Sequence, residues 1–261
     1  MTDLAFLILG QSNASGRGTD APSSLDNAAQ IFVYNNADAR VAISSTEVDD
    51  TTGQTDTVSL DSLVGHSFDR SAADAIAGNL DPSDNVLLVP CAMGGSESRE
   101  WIPGGDIAAP SPNYGTTRLF GNALRRAEAA DALSDTVLAG AFVYQGEADA
   151  ADSFRPQVHA MRWRNIARRL RELVGVSNLP FVFVRLPPTP GTGINATYWE
   201  AVRTAQARLP SLDPHFSLVQ APDGPFESDG SGVHLTTAAH EVLGPLVATA
   251  WLATARALEL T

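Results

Sequence analysis

Short aliphatic runs that end in polar or glycine-rich segments recur along the whole chain, and this recurrence limits the fold more than any other feature. The runs are Leu4–Leu9, Ile31–Tyr34, Val86–Pro90, Thr136–Tyr144, Phe181–Leu186 and Phe216–Val219. Most are apolar at consecutive positions, so both faces of each strand are suited to burial, as in a parallel sheet covered by helices. Segments with helical spacing lie between them, at 66–78, 116–132, 154–173, 195–207 and 236–258. In the segment 154–173, Val158, Met161, Ile166, Leu170 and Leu173 fall near one helical face. Strand–helix alternation predicts an open, doubly wound α/β sheet. Its crossovers should be right-handed, and a working site belongs at the carboxyl ends of the strands.

The 261 residues are read as one domain, since a large core is attainable at this length and no boundary or repeat is visible. A net charge of −13, with arginine as the only strong base, argues against nucleic-acid binding, which depends on neutralising phosphates. The cluster Arg162, Arg164, Arg168, Arg169 and Arg171 is read as the solvated face of one helix. The single cysteine, Cys91, excludes an intrachain disulfide and a cysteine-rich zinc site, and is read as a packed thiol. No apolar run approaches the ~18 residues of a membrane span. The start of the chain lacks the basic segment of a signal peptide.

Four short motifs follow predicted strands or occupy a rim loop: "GQSN" at 10–13, "CAMGGSESREW" at 91–101, "YQGEAD" at 144–149 and "GVHLTTAAH" at 232–240. Ser12 follows the first strand, where a serine either caps a helix or presents its Oγ beside free backbone N–H groups. His234 lies in a glycine-rich loop before a helix. The other histidines, His66, His159, His215 and His240, have weaker contexts. A serine nucleophile needs a base within hydrogen-bond reach, an acceptor that orients the base, and donors aimed at the oxyanion. Gly94 and Gly95 can bring backbone N–H groups close to a substrate, or simply form a turn. Gln145 can offer a side-chain N–H, or cap a strand end.

Taken together, in this order and spacing, the four motifs resemble the SGNH hydrolases. More narrowly they resemble the carbohydrate-esterase branch with sialate O-acetylesterases and plant-type acetylxylan esterases. The resemblance runs from "ILGQSNASGRG" through "VPCAMGGSESREW" and "FVYQGEAD" to "GVHLTTAAHEVLG". It implies a flavodoxin-like three-layer sandwich with a central parallel sheet of about five strands. It also implies ester hydrolysis without metal or other cofactor. Ser12 is then the nucleophile and His234 the general base. The oxyanion donors are the N–H of Ser12, that of Gly94 or Gly95, and Gln145. Gln11, Asn13 and Trp101 fall to substrate binding, although Trp101 could equally anchor its loop.

One departure concerns the acid. The wider group carries aspartate three residues before the histidine, where this chain has Ser231. Glu147 is the leading candidate: two residues beyond Gln145, it points to the same side if the backbone stays extended. Asp229 is the second. It stands five residues before His234, roughly 16–18 Å along an extended chain, and reaches the imidazole only if Gly230 and Gly232 let the chain fold back. A Ser–His dyad held by a carbonyl or by Ser231 is the third.

The expected activity is removal of O-acetyl groups from an acetylated sugar or glycan through an acyl-enzyme on Ser12. A general short-chain carboxylesterase and a catalytically silent glycan-binding module are the alternatives.

Overall fold

The computed structural model describes residues 1–35, 39–43, 65–103 and 119–258. Two irregular stretches of the sequence, the polar and acidic residues 44–62 and most of the Gly- and Pro-rich residues 94–115, therefore lie outside the described residues. Among the described residues seven strands form one sheet: β1 (Asp3–Gly10), β2 (Ile31–Tyr34), β3 (Arg40–Ala42), β4 (Asn85–Pro90), β5 (Thr136–Tyr144), β6 (Phe181–Arg185) and β7 (Phe216–Gln220). Their order is β3-β2-β4-β1-β5-β6-β7. All neighbours are parallel except β2 and β3, which are antiparallel.

The sheet is larger than the expected five strands. The run β4-β1-β5-β6-β7 carries the 2-1-3-4-5 order of flavodoxin-like sheets. β2 and β3 extend it beyond β4. β3 has only three residues, none of them buried, so it carries no aliphatic signature. β1 is the switch point, since the chain first builds the sheet on its β4 side and then on its β5 side. A crevice at the carboxyl ends of β1, β4 and β5 follows from that topology.

The alternation of side chains along β1 assigns the two layers. Phe6 and Ile8 pack under α2 (Asp69–Ala77) and α7 (Thr237–Ala257), against Ala72, Ile76, Leu243, Val247 and Trp251. Ala5, Leu7 and Leu9 pack under α3 (Leu119–Asp131) and α4 (Arg155–Val174), against Phe120, Ala127, Trp163, Ile166 and Leu170. The helices start and stop at ordinary signals. Asn195 Oδ1 accepts from Thr197 N at 2.9 Å and caps α5 (Ala196–Ala207). Thr236 caps α7, and Gly175 in the left-handed region (φ +76°) ends α4.

One reading of a single residue changes. Arg168 and Arg169 are exposed as expected, but Arg171 is buried: it donates to Leu179 O at 2.9 Å and pairs with Asp213 at 2.6 Å. Its guanidinium carbon lies 5.0 Å from the Phe181 ring centroid and 5.6 Å from that of Phe216, a cation–π contact at the foot of β6 and β7. Cys91 is a buried thiol.

Candidate active site

β1 ends at Gly10 with φ +123°, where a Cβ would lie 2.0 Å from Tyr144 O. Only glycine fits there, and it turns the chain at once into α1, a single turn over Ser12–Ser15. Ala14 N and Ser15 N both donate to Gln11 O at 2.9 Å. The N–H of Ser12 has no acceptor among the described residues, as expected at the first position of a helical turn.

Ser12 Oγ lies 3.0 Å from His234 Nε2. His234 Nδ1 is in direct contact with Asp229 Oδ2, and 3.3 Å from Ser231 Oγ. The chain folds back between Asp229 and His234 through two glycines in the left-handed region, Gly230 at φ +82° and Gly232 at φ +63°. Asp229 Oδ1 accepts from Ser231 N at 2.8 Å and Ser231 Oγ at 2.7 Å. Burial is the largest single influence on the Asp229 carboxyl and pushes it up. The bonds from His234 and Ser231 together outweigh it and bring the group down to about 2.

Glu147 occupies a different place. Its Oε1 accepts from Asn13 Nδ2 at 2.8 Å. Asn13 in turn holds the peptides on both sides of His234: Nδ2 donates to Val233 O at 2.9 Å, and Oδ1 accepts from Leu235 N at 3.0 Å. All three partners agree with one orientation of the amide. Glu147 is thus joined to the histidine loop through Asn13, and the acid beside the imidazole is Asp229. The reason is local backbone. Glu147 is helical (φ −61°, ψ −44°), so the alternation that would carry it to the side of Gln145 breaks. Burial drives the Glu147 carboxyl up to about 7, against the pull of the Asn13 bond.

Three further side chains read as substrate or oxyanion contacts are spent inside the protein. Gln145 is fully buried. Its Nε2 donates to Ser96 O at 3.1 Å and to Gln11 Oε1 at 3.5 Å, and its Oε1 accepts from Trp163 Nε1 at 3.0 Å. Gln11 Oε1 also accepts from Ala148 N at 3.1 Å. Trp101 is fully buried, donates to Ser96 Oγ at 3.1 Å and packs on Trp163. It anchors its loop and does not face a sugar. Asn13 is likewise buried, with both ends of its amide bonded within the protein.

These braces position the glycine loop. Met93 N and Ser96 Oγ both donate to Gly10 O, at 2.9 and 3.2 Å, which fixes the loop beside Ser12. Gly94 and Gly95 form its turn, with Gly95 at φ +71°. Their N–H groups have no acceptor among the described residues.

Sequence reasoning missed one element of this support. Asp149 Oδ1 accepts from Ser98 N at 3.0 Å, and its Oδ2 lies 2.6 Å from His159 Nδ1, both side chains fully buried. Burial alone would raise the Asp149 carboxyl, but the His159 and Ser98 bonds bring it below its usual value. The signal was present: His159, Trp163, Ile166 and Leu170 share one helical face. A cavity of about 310 Å³ also opens beside His234, lined by Arg17, Thr19, Glu227, Ser228 and Asp229. Among the described residues, no three His, Cys, Asp or Glu side chains stand close enough to hold a metal ion. No helix there is long and apolar enough to cross a membrane.

A flavodoxin-ordered sheet with a serine after β1, a glycine loop after β4 and a histidine before the last helix defines an SGNH-type fold. Solved structures agree at the level of fold. An Arabidopsis thaliana protein, AT4G34215, superposes with a TM-score of 0.78 at 22% identity, over 96% of this chain and 98% of that one. NanS gives 0.70 at 16% identity, over 98% of each chain. XAC1771, a carbohydrate acetylesterase from Xanthomonas citri, gives 0.63 at 18% identity, over 97% of this chain and 56% of that one.

The chain belongs to the carbohydrate esterase, sialic acid-specific acetylesterase family, whose model matches residues 2–253. The probable carbohydrate esterase At4g34215 of Arabidopsis thaliana is 28% identical over 181 residues. That alignment covers 69% of this chain and spans 61% of the plant protein's length.

Proposed function

We propose that this protein removes O-acetyl groups from acetylated carbohydrates, with Ser12 as nucleophile, His234 as general base and Asp229 as the acid that orients it. The single observation that carries the reading is the chain of contacts from Ser12 Oγ to His234 Nε2, at 3.0 Å, and from His234 Nδ1 to Asp229. A base within 2.6–3.2 Å of the proton it takes, itself oriented by a carboxylate, is what nucleophilic acyl transfer requires. Residues 1–261 act as one catalytic domain in this proposal.

His234 takes the Ser12 proton as Oγ bonds to the acetyl carbonyl carbon. The carbonyl electrons move to its oxygen, and the tetrahedral oxyanion is held by the N–H groups of Ser12 and of Gly94 or Gly95. Collapse re-forms the carbonyl and breaks the bond to the sugar oxygen, which leaves with the proton from His234. Water then attacks the acetyl-Ser12 ester, giving its proton to His234. Acetate departs and the proton returns to Ser12 Oγ. Gln145 is not assigned a donor here, since its amide holds Ser96 and Gln11.

The family supports a carbohydrate ester as substrate, and the hydroxyl and carboxylate side chains of Thr19, Ser228 and Glu227 at the cavity beside His234 support a sugar over a long acyl chain. A silent glycan-binding module loses its motive, because Asp229 fills the place of the missing aspartate. Hydrolysis of an aryl acetate, and labelling of Ser12 by a fluorophosphonate, test the proposal. Undiminished hydrolysis by Ser12→Ala overturns it.

A further inference from the structure

We infer that the cavity beside His234 takes the sugar ring of the ester, and that Glu227 makes it select neutral sugars with adjacent free hydroxyls over anionic ones. The inference rests on the esterase proposal and adds the substrate class. The cavity, about 310 Å³, lies at the small end of the ~300–1,000 Å³ range of small-molecule sites, which suits one ring better than a long chain. It is lined by His234 itself, so a group held there stands next to the reacting serine.

Glu227 is built into this wall. Its backbone N donates to His234 O at 2.8 Å, within a short antiparallel bridge that pairs Phe226 with Leu235. Its carboxylate is held flat by one residue: Thr19 N donates to Oε1 and Thr19 Oγ1 to Oε2, each at 3.0 Å. An ionised carboxylate has about four acceptor sites and no donor. Two are used by Thr19, so each oxygen keeps one for a hydroxyl. Two vicinal sugar hydroxyls can donate to such a pair in parallel.

The charge of the lining works in the same direction. Among the described lining residues, Glu227 and Asp229 are acidic and Arg17 is the one arginine. Arg17 Nη1 donates to Ser15 Oγ at 2.9 Å. The charge of these described residues is net negative, in a chain of net charge −13. A sugar carboxylate placed against it meets like charge, which selects by repulsion as much as hydroxyl binding selects by attraction. This sets the chain apart from the anionic sugar in its family's description.

The test compares the wild type with Glu227→Gln on three substrates. They are an aryl acetate, a mono-O-acetylated neutral glycoside with adjacent free hydroxyls, and an O-acetylated sialic acid. The wild type should prefer the neutral glycoside over the sialic acid by at least ~10-fold in kcat/KM. Glu227→Gln should lower the ratio of neutral glycoside to aryl acetate by about 10-fold and raise kcat/KM for the sialic acid several-fold. A wild type that prefers the sialic acid, or hydrolyses neither sugar ester while cleaving the aryl acetate, overturns the pocket assignment alone. So does a Glu227→Gln variant that lowers both sugar esters equally. A wild type inert on the aryl acetate overturns the esterase proposal, and this inference with it.

Discussion

Glu147 bonds to Asn13 at 2.8 Å, and Asn13 grips the peptides before and after His234. The acid of the "QGE" stretch is therefore joined to the histidine at one remove. Asp229 touches it directly. The following expectations separate these roles.

Asp229→Asn should lower kcat for an aryl acetate by about 1,000- to 10,000-fold, because the amide no longer fixes the reactive tautomer of His234. Glu147→Gln keeps an acceptor for Asn13 and should cost less than ~10-fold. Steady-state kinetics of the two variants decide the order. A larger loss in Glu147→Gln would return the acid role to Glu147.

Asn13→Ala removes three bonds and leaves Val233 O and Leu235 N without partners. Two stranded backbone groups predict a loss of about 2–4 kcal/mol in urea unfolding. The released His234 loop predicts a fall in kcat larger than the rise in KM. Equal effects on both would mean that Asn13 contacts substrate.

Glu147 also predicts a pH dependence of stability. Its carboxyl is raised from 4.5 to about 7 in the fold. The folded state then binds the proton more tightly than the unfolded chain does. Stability from this group is complete below pH ~4.5 and is lost as pH rises to about 7. Urea midpoints should fall across that window in the wild type and fall less in Glu147→Gln. An unchanged slope would show that Glu147 keeps an ordinary carboxyl.

The buried histidines act in the opposite sense. Burial, aided by Arg70, lowers His66 from 6.5 to about 4; burial, aided by His66, lowers His240 from 6.5 to about 3. Both bind protons more weakly when folded. Their stability is complete above pH ~6.5 and is lost as pH falls toward the folded values. His240→Gln should flatten the acid limb of the same midpoint series, whatever its effect at pH 8. A limb of undiminished steepness would remove His240 as a cause.

Gly10→Ala places a methyl 2.0 Å from Tyr144 O at φ +123°. Backbone strain of ~1–3 kcal/mol and overpacking of similar size should both appear in the unfolding free energy. The Ser12 turn would shift with it, so kcat should fall by at least ~10-fold. A stable, fully active variant would mean that the turn can be entered another way.

The sheet was readable because a buried parallel strand writes itself as consecutive aliphatics. All six long strands lie within two residues of their sequence limits. β3 was not readable, since three exposed or half-exposed residues leave no pattern. Ser12 and His234 were visible as motif residues. Asp229 was visible only as the second candidate, because its approach depends on left-handed backbone at Gly230 and Gly232, and spacing along a sequence does not fix φ. Gln11, Asn13, Gln145 and Trp101 could not be placed from the sequence for one shared reason. A polar tip near a site satisfies substrate or scaffold equally well on paper, and only burial and partners tell which.

The Ser12–His234 contact joins residues 222 positions apart, and its clasp through Asn13 to Leu235 spans the same distance. During synthesis Ser12 therefore precedes the imidazole it contacts by 222 residues. On the proposed mechanism its hydroxyl stays chemically ordinary until the intervening chain has folded and brought the two together.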